Sequence, residues 1–150
     1  MVGAVLTQNA AWTNVERALD QLKSRGLLSL DALLAVDHET LAETIRPSGY
    51  YNIKAKRLRN LCEHLADHGG IEGLSVHADS NIREGLLAVN GIGPETADDI
   101  LLYALNRPVF VIDSYTRRLL QRNGLAQGDE PYDVLRAGFE DALSADVFVY

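Results

Sequence analysis

The chain has 150 residues, of which 47% are hydrophobic and 23% are charged, and its formal net charge at pH 7 is −7. These values favour one domain, or two small lobes of one enzyme, with a folded core. The single cysteine excludes an internal disulfide and any cysteine-rich metal or iron–sulfur site within this chain. No apolar run approaches the roughly 18 to 20 residues of a membrane span, so we expect a cytoplasmic protein without a membrane partner.

Short helices separated by turn residues are predicted for the first half of the chain. Thr13 followed by Glu16 predicts a capping box at the start of one helix. Ser29 and Asp37 are predicted to be the N-caps of the next two helices. Asn52 is predicted to be the N-cap of a longer helix that ends near residue 68.

The second half contains a segment, residues 86–102, that reads as helix, tight turn and helix. Gly91 and Gly93 allow a turn that a Cβ would obstruct, and Pro94 suits the first position of a helix. The backbone N–H groups around this helix start form an anion site, which in a nucleic-acid-binding protein holds a backbone phosphate. The alternative is a glycine-bearing turn between two core helices.

The remaining elements are also helical. Residues 71–78 are predicted to be irregular or one helical turn, and residues 109–112 are too short for an assignment by periodicity. Asp113 precedes a predicted helix from Ser114, and Pro131 opens the last one. The chain then stops on the apolar residues 147–150. The pattern therefore predicts an all-α fold without repeats.

Four segments together resemble the helix-hairpin-helix DNA glycosylase superfamily, in its endonuclease III branch. They are residues 5–12, 49–55, 89–97 and 111–115, in matching order and spacing. The residues in these segments most resemble those of the bacterial 3-methyladenine DNA glycosylases. The resemblance implies a six-helix barrel containing the hairpin (residues 1–106), part of a second helical lobe (residues 107–150) and a cleft between them that receives a flipped base. Because the iron–sulfur segment of the branch is missing, we expect the chain to be either a truncated or degraded form or an unusually short member.

Three residues carry the chemistry that the resemblance implies. Asp113 matches the catalytic carboxylate, which stabilises the oxocarbenium charge that develops on the sugar, although an Asp here also suits a simple helix cap. Glu95 stands where bifunctional members have a lysine. Since a carboxylate cannot form a Schiff base, we expect no lyase activity. Trp12 matches the pocket aromatic that would stack on a cationic purine, the alternative being a hydrophobic staple.

Further residues match DNA-contacting positions of the branch. Gln8 resembles the residue that fills the gap left by the flipped nucleotide, with Asn9 in support. The other predicted DNA contacts lie in a second loop and in the hairpin: Tyr51, Asn52, Lys54, Asn90, Gly91, Ile92, Gly93, Pro94 and Thr96. The carbonyls of Leu87, Val89 and Ile92 match those that hold an alkali ion in the family.

The expected function is that of a monofunctional base-excision-repair DNA glycosylase that removes an alkylated purine. The alternatives are a glycosylase for mismatched uracil or thymine, a DNA-binding module without turnover and an all-helical interaction domain. The expected partner is double-stranded DNA with a damaged base, near the nucleoid. No cofactor other than the alkali ion is expected. A monomer is expected, with dimerisation through the truncated surface as the alternative.

Overall fold

The computed structural model describes residues 1–143, which contain ten α-helices and no β-strand. This confirms the all-α prediction. In chain order the helices are α1 (Val2–Leu6), α2 (Trp12–Ser24), α3 (Leu30–Ala35), α4 (His38–Thr44), α5 (Tyr51–Asp67), α6 (Gly70–Ser75), α7 (Asp79–Ala88), α8 (Pro94–Asp99), α9 (Ser114–Arg122) and α10 (Tyr132–Ala142). A 3-10 turn (Arg46–Ser48) precedes α5, and a π-helical turn (Ile100–Ala104) extends α8.

The longest helix, α5, lies at the centre and packs against α1, α3, α4 and α6. Its buried side chains recur every three or four residues, which places them on one face: Ala55, Leu58, Leu61, Cys62 and Leu65. Cys62 is 3% exposed and packs in this core. The first eight helices thus surround one apolar core, with the hairpin at one end.

Side-chain capping explains the starts of three of the described helices, α3, α4 and α9. The side chains of Ser29 and Asp37 accept hydrogen bonds from backbone N–H groups of α3 and α4, as predicted. The capping box at Thr13 is wrong, because α2 begins one residue earlier, after extended backbone at Ala11. The cap at Asn52 is also wrong, because Tyr50, in the left-handed region, precedes the first turn of α5.

For residues 71–78 the sequence predicts irregular structure or one turn, and the structure has the short helix α6 over most of this region. The helix is short, and buried Leu74 anchors it to the core. A Cβ at Gly73 would lie 1.9 Å from the carbonyl oxygen of His68, so the close approach of the two backbones requires glycine. This tertiary contact is invisible in the hydrophobic pattern.

An irregular segment, residues 106–113, connects the hairpin helix to α9 and α10. Val109 and Ile112 bury their side chains within it. The division into two lobes at residue 106 stays a prediction, and the apolar end at residues 147–150 lies outside the described residues. Within residues 1–143, the structure has no helix long and apolar enough to cross a membrane.

Candidate active site beside the hairpin

The hairpin joins α7 to α8 through a turn whose conformation requires glycine at one position. Gly91 has φ +97°, and a Cβ there would lie 2.2 Å from Cγ of Arg57. The Ile92 N–H donates to the Val89 carbonyl at 3.0 Å, and the Ile92 side chain is 5% exposed. The turn is therefore fixed from inside, while Gly93 and Pro94 face solvent at the start of α8.

Gln8, in the turn after α1, is hydrogen-bonded to the hairpin. Its Nε2 donates to the carbonyl of Gly91 at 3.1 Å and to Oγ1 of Thr96 at 2.9 Å. Its Oε1 accepts from Arg57 at 2.5 Å. Asn9 follows in the left-handed region with φ +52° and is exposed. Gln8 thus holds the loop against the hairpin.

A cleft of about 1440 Å³ opens beside this junction. Ten of the predicted site residues line it: Gln8, Asn9, Trp12, Gly91, Ile92, Gly93, Pro94, Glu95, Thr96 and Asp113. Trp12 is the first residue of α2 and is 55% exposed, which does not fit a buried staple and leaves the indole accessible in the cleft.

Asp113 is the N-cap of α9, as its position in the sequence predicted. Its Oδ1 accepts from the Thr116 N–H at 2.7 Å and from Thr116 Oγ1 at 2.8 Å. Within residues 1–143, Oδ2 takes part in no hydrogen bond. One carboxylate oxygen thus fixes the side chain and the other remains for chemistry in the cleft.

Glu95 and Asp99 bring two more carboxyl groups to the same cleft. They lie four residues apart along the helix, which places them on one face. Burial, and then the charge of Asp113, raise the pKa of Glu95, while Arg117 lowers it. Burial raises the pKa of Asp99 to about 7, and the charges of Glu95, Asp113 and Asp98 act in the same direction.

Sequence reasoning missed Asp99, although the spacing from Glu95 was a signal for it. It also missed Arg57, Tyr103 and Tyr132 as cleft residues. Arg57 belongs to a basic stretch of α5 with Lys54, Lys56 and Arg59, a pattern that is typical of a solvated helix face. Tyr132 is distant in sequence, and no local pattern connects it to the hairpin.

Lys54 does not occupy the surface position expected of a DNA contact. Its side chain is 1% exposed, and its Nζ donates to the carbonyls of Leu6 and Ser48, each at 2.7 Å. Burial, and then the charge of Arg57, lower the pKa of Lys54 to about 8. The amine binds carbonyls at the C-terminal ends of α1 and of the 3-10 turn, so the structure corrects the prediction that Lys54 faces DNA.

The other predicted contacts lie outside the cleft lining. Tyr51 and Asn52 form the first turn of α5, where Asn52 is exposed. Asn90 is exposed in the hairpin turn, and its carbonyl accepts from Nδ2 of Asn60 at 2.9 Å. Tyr51 and Asn52 belong to the predicted second loop and Asn90 belongs to the hairpin. Their contact with DNA stays a prediction.

The described residues provide no set of side-chain ligands for an iron–sulfur cluster or for an alkali ion. Within the part of the chain that the structure describes, no group of three or more His, Cys, Asp or Glu residues is arranged to hold a metal ion. The lone Cys62 is buried, so this chain cannot ligate the iron–sulfur cluster of the branch. The alkali-ion site depends on the carbonyls of Leu87, Val89 and Ile92, of which Val89 accepts the turn hydrogen bond described above.

A family model described as "HhH-GPD superfamily base excision DNA repair protein" matches residues 2–144. The chain belongs to this superfamily. Its all-helical architecture and the hairpin beside the cleft agree with the family assignment, which confirms the resemblance seen in the sequence.

Named relatives of this HhH-GPD protein extend the comparison. It is 44% identical over 153 residues to the protein named "Putative DNA repair glycosylase MJ1434" of Methanocaldococcus jannaschii, covering 100% of this chain and 70% of that protein. It is 28% identical to endonuclease III of Sulfolobus acidocaldarius, covering 97% of this chain and 65% of the relative. The HhH-GPD chain thus spans about two thirds of the length of these relatives.

Solved structures show the same fold. The crystal structure of H. pylori 3-methyladenine DNA glycosylase (MagIII) bound to 1,N6-ethenoadenine has a TM-score of 0.85 and 39% identity, covering 93% of this chain and 66% of that one. A non-covalent endonuclease III–DNA complex has a TM-score of 0.81 at 22% identity, covering 97% of this chain and 64% of that chain, and supports the fold alone.

Proposed function

We propose that this HhH-GPD protein is a monofunctional DNA N-glycosylase that hydrolyses the bond between a flipped damaged base and its sugar. The observation that carries the proposal is the carboxylate of Asp113. It is fixed through Oδ1 at the start of α9 and lies in one cleft with the hairpin and the exposed indole of Trp12. Its relative MagIII is named for 3-methyladenine, which supports an alkylated purine as the lesion.

In the proposed reaction, the C1′–N bond breaks and its electron pair leaves with the base. The Asp113 carboxylate stabilises the positive charge that develops on the sugar and orients a water molecule toward C1′. The water oxygen bonds to C1′, and its proton passes to solvent or to the departing base. A helix N-terminus favours the ionised carboxylate, which this role needs.

The absence of lyase activity follows from the chemistry of the residues at the hairpin. Glu95 has no amine to attack the sugar and form an imine. Among the described residues that line the cleft there is no lysine, and the Lys54 amine is enclosed by two carbonyls. We therefore expect an intact abasic strand as the product.

Trp12 supports a positively charged base as the substrate. An exposed indole offers a stacking face, and cation–π attraction is strongest for tryptophan. The carboxyl groups of Glu95, Asp99 and Asp113 make the same cleft acidic, which attracts a cationic purine. Uracil or thymine in a mismatch, which lack this charge, remain the second candidate substrates.

DNA binding is assigned to the hairpin and its neighbours. The N–H groups at the start of α8 would contact a phosphate without reading sequence, and an alkali ion at the hairpin carbonyls would assist. Gln8 and Asn9 would occupy the gap left by the flipped base, at the expense of the Gln8 hydrogen bonds to the hairpin. The expected cellular partner is double-stranded DNA of the nucleoid, bound by a monomer.

The test is base release from duplexes that carry 3-methyladenine, 7-methylguanine, uracil or thymine opposite guanine. We expect release of an alkylated purine, alkali-dependent strand cleavage and no borohydride-trapped adduct. Asp113→Asn should reduce release at least 100-fold, whereas Asp20→Asn, a matched change on the exposed face of α2, should not. Release that Asp113→Asn leaves unchanged would contradict the catalytic role, and binding without release would favour a non-enzymatic module.

A further inference from the structure

A buried ion cluster joins the hairpin helix to α10. The Asp98 side chain is fully buried on α8. Arg83 of α7 holds it at two points, with Nε 2.7 Å from Oδ1 and a terminal nitrogen 3.3 Å from Oδ2. Arg136 of α10 lies 3.3 Å from Oδ1. A buried carboxylate paired on two sides has one low-energy orientation, so Asp98 is a rigid anchor.

Tyr132 connects this anchor to the segment that precedes Asp113. It lies on α10 one helical turn from Arg136, which binds Asp98, and its hydroxyl accepts a hydrogen bond from the Ile112 N–H at 3.3 Å. Burial, and then the charge of Asp98, raise the pKa of Tyr132, so the hydroxyl keeps its proton and can serve as donor and acceptor together. Its ring also lines the cleft.

A second contact from α10 holds the same segment. Oε1 of Glu140 accepts from the Phe110 N–H at 3.0 Å, and the rings of Phe110 and Phe139 stack with centroids 4.1 Å apart. Residues 106–113 form no helix or strand, so their amides depend on such partners. The position of the backbone that enters Asp113 is therefore set by α10.

We propose that Tyr132 is a positioning residue that fixes the catalytic carboxylate of Asp113 by holding the adjacent amide of Ile112 against α10, which Arg136 ties to the Asp98 anchor. The inference rests on the proposed glycosylase function. The Ile112 amide that Tyr132 contacts belongs to the residue directly before Asp113, and catalysis depends on sub-ångström placement of such groups. The rigid link also gives α10 a role in the reaction, although it is remote from the hairpin in sequence.

The test is Tyr132→Phe, which removes one oxygen and keeps the ring. We expect the single-turnover rate of base release to fall roughly tenfold while the Kd for the same duplex stays within about twofold. Hydrogen exchange of the Ile112 amide, followed by NMR in the free protein, should accelerate between about 2- and 10-fold, the effect of one lost hydrogen bond.

Thr44→Val is the matched control, because it also removes a buried, hydrogen-bonded hydroxyl, on α4 and away from the cleft. It should lower thermal stability without slowing release. An unchanged rate in Tyr132→Phe, an equal loss in Thr44→Val or unaltered exchange at Ile112 would overturn the positioning role. If the unmodified protein releases no base, the proposed function itself fails, and the positioning role fails with it.

Discussion

Replacing Asp99 by asparagine should stabilise the protein, and the gain should depend on pH. Asp99 lies in the cleft with Glu95 and Asp113, and the structure pairs it with no cation within 4.0 Å among the described residues. Burial, followed by the charges of these neighbours, raises its pKa from 3.8 to about 7. Asparagine has nearly the shape of the protonated carboxyl and cannot ionise.

The sign and the size follow from this pKa. Because the folded protein holds the proton more tightly than the unfolded chain, the stabilisation is complete below about pH 4 and is lost as the pH rises to about 7. Three pKa units correspond to about 4 kcal/mol. Since the cleft is open to water, we halve this value and expect Asp99→Asn to gain about 2 kcal/mol at pH 8 relative to pH 4.

The assay is urea or thermal unfolding of the unmodified chain, Asp99→Asn and the surface control Asp20→Asn at each pH from 4 to 9. A gain of 2 kcal/mol corresponds to a rise of about 4–8 °C in Tm for a domain of this size. The difference curve should be flat above about pH 8. A pH-independent difference, or one that grows as the pH falls, would refute the assignment of Asp99 as an acid whose pKa the cleft raises.

Three other substitutions test the structural basis of the site. Gly91→Ala places a Cβ 2.2 Å from Arg57 at φ +97°, so chemical denaturation should show a loss of about 2–3 kcal/mol, and an unchanged midpoint would contradict the turn geometry. Gln8→Ala removes three hydrogen bonds at the hairpin and should cost about 1–3 kcal/mol in the same assay; a neutral result would mean that the loop does not depend on them. Lys54→Met leaves two buried carbonyls unpaired, so the free energy of unfolding should fall by about 1–3 kcal/mol. DNA affinity, measured by titration, should change by no more than about twofold. A selective loss of affinity would restore Lys54 as a DNA contact.

The sequence was sufficient wherever a feature depends on neighbouring residues. The caps at Ser29, Asp37 and Asp113, the glycine at position 91 and the start of α8 at Pro94 follow from backbone preferences that act over three or four residues. The resemblance to the glycosylase superfamily rests on such local motifs in a fixed order, and the family match confirms it. The predicted helix starts at Thr13 and Asn52 were wrong, because the backbone conformation of the preceding residues placed each start earlier in spite of a favourable capping side chain.

Only the tertiary structure decided which side chains meet. Lys54 belongs to a basic run that is typical of a solvated face, yet it is buried, because the carbonyls of Leu6 and Ser48 converge on its amine from two other segments. Arg136 and Asp98 have no shared pattern, since their contact joins α10 to α8 across 38 residues of sequence. The raised pKa of Asp99 likewise depends first on its burial and then on the charges of Glu95 and of Asp113, which a different helix brings into the cleft. Local chemistry therefore specified the hairpin and the helix caps, whereas the acidity of the cleft and the support for Asp113 arise from distances that only the packed chain defines.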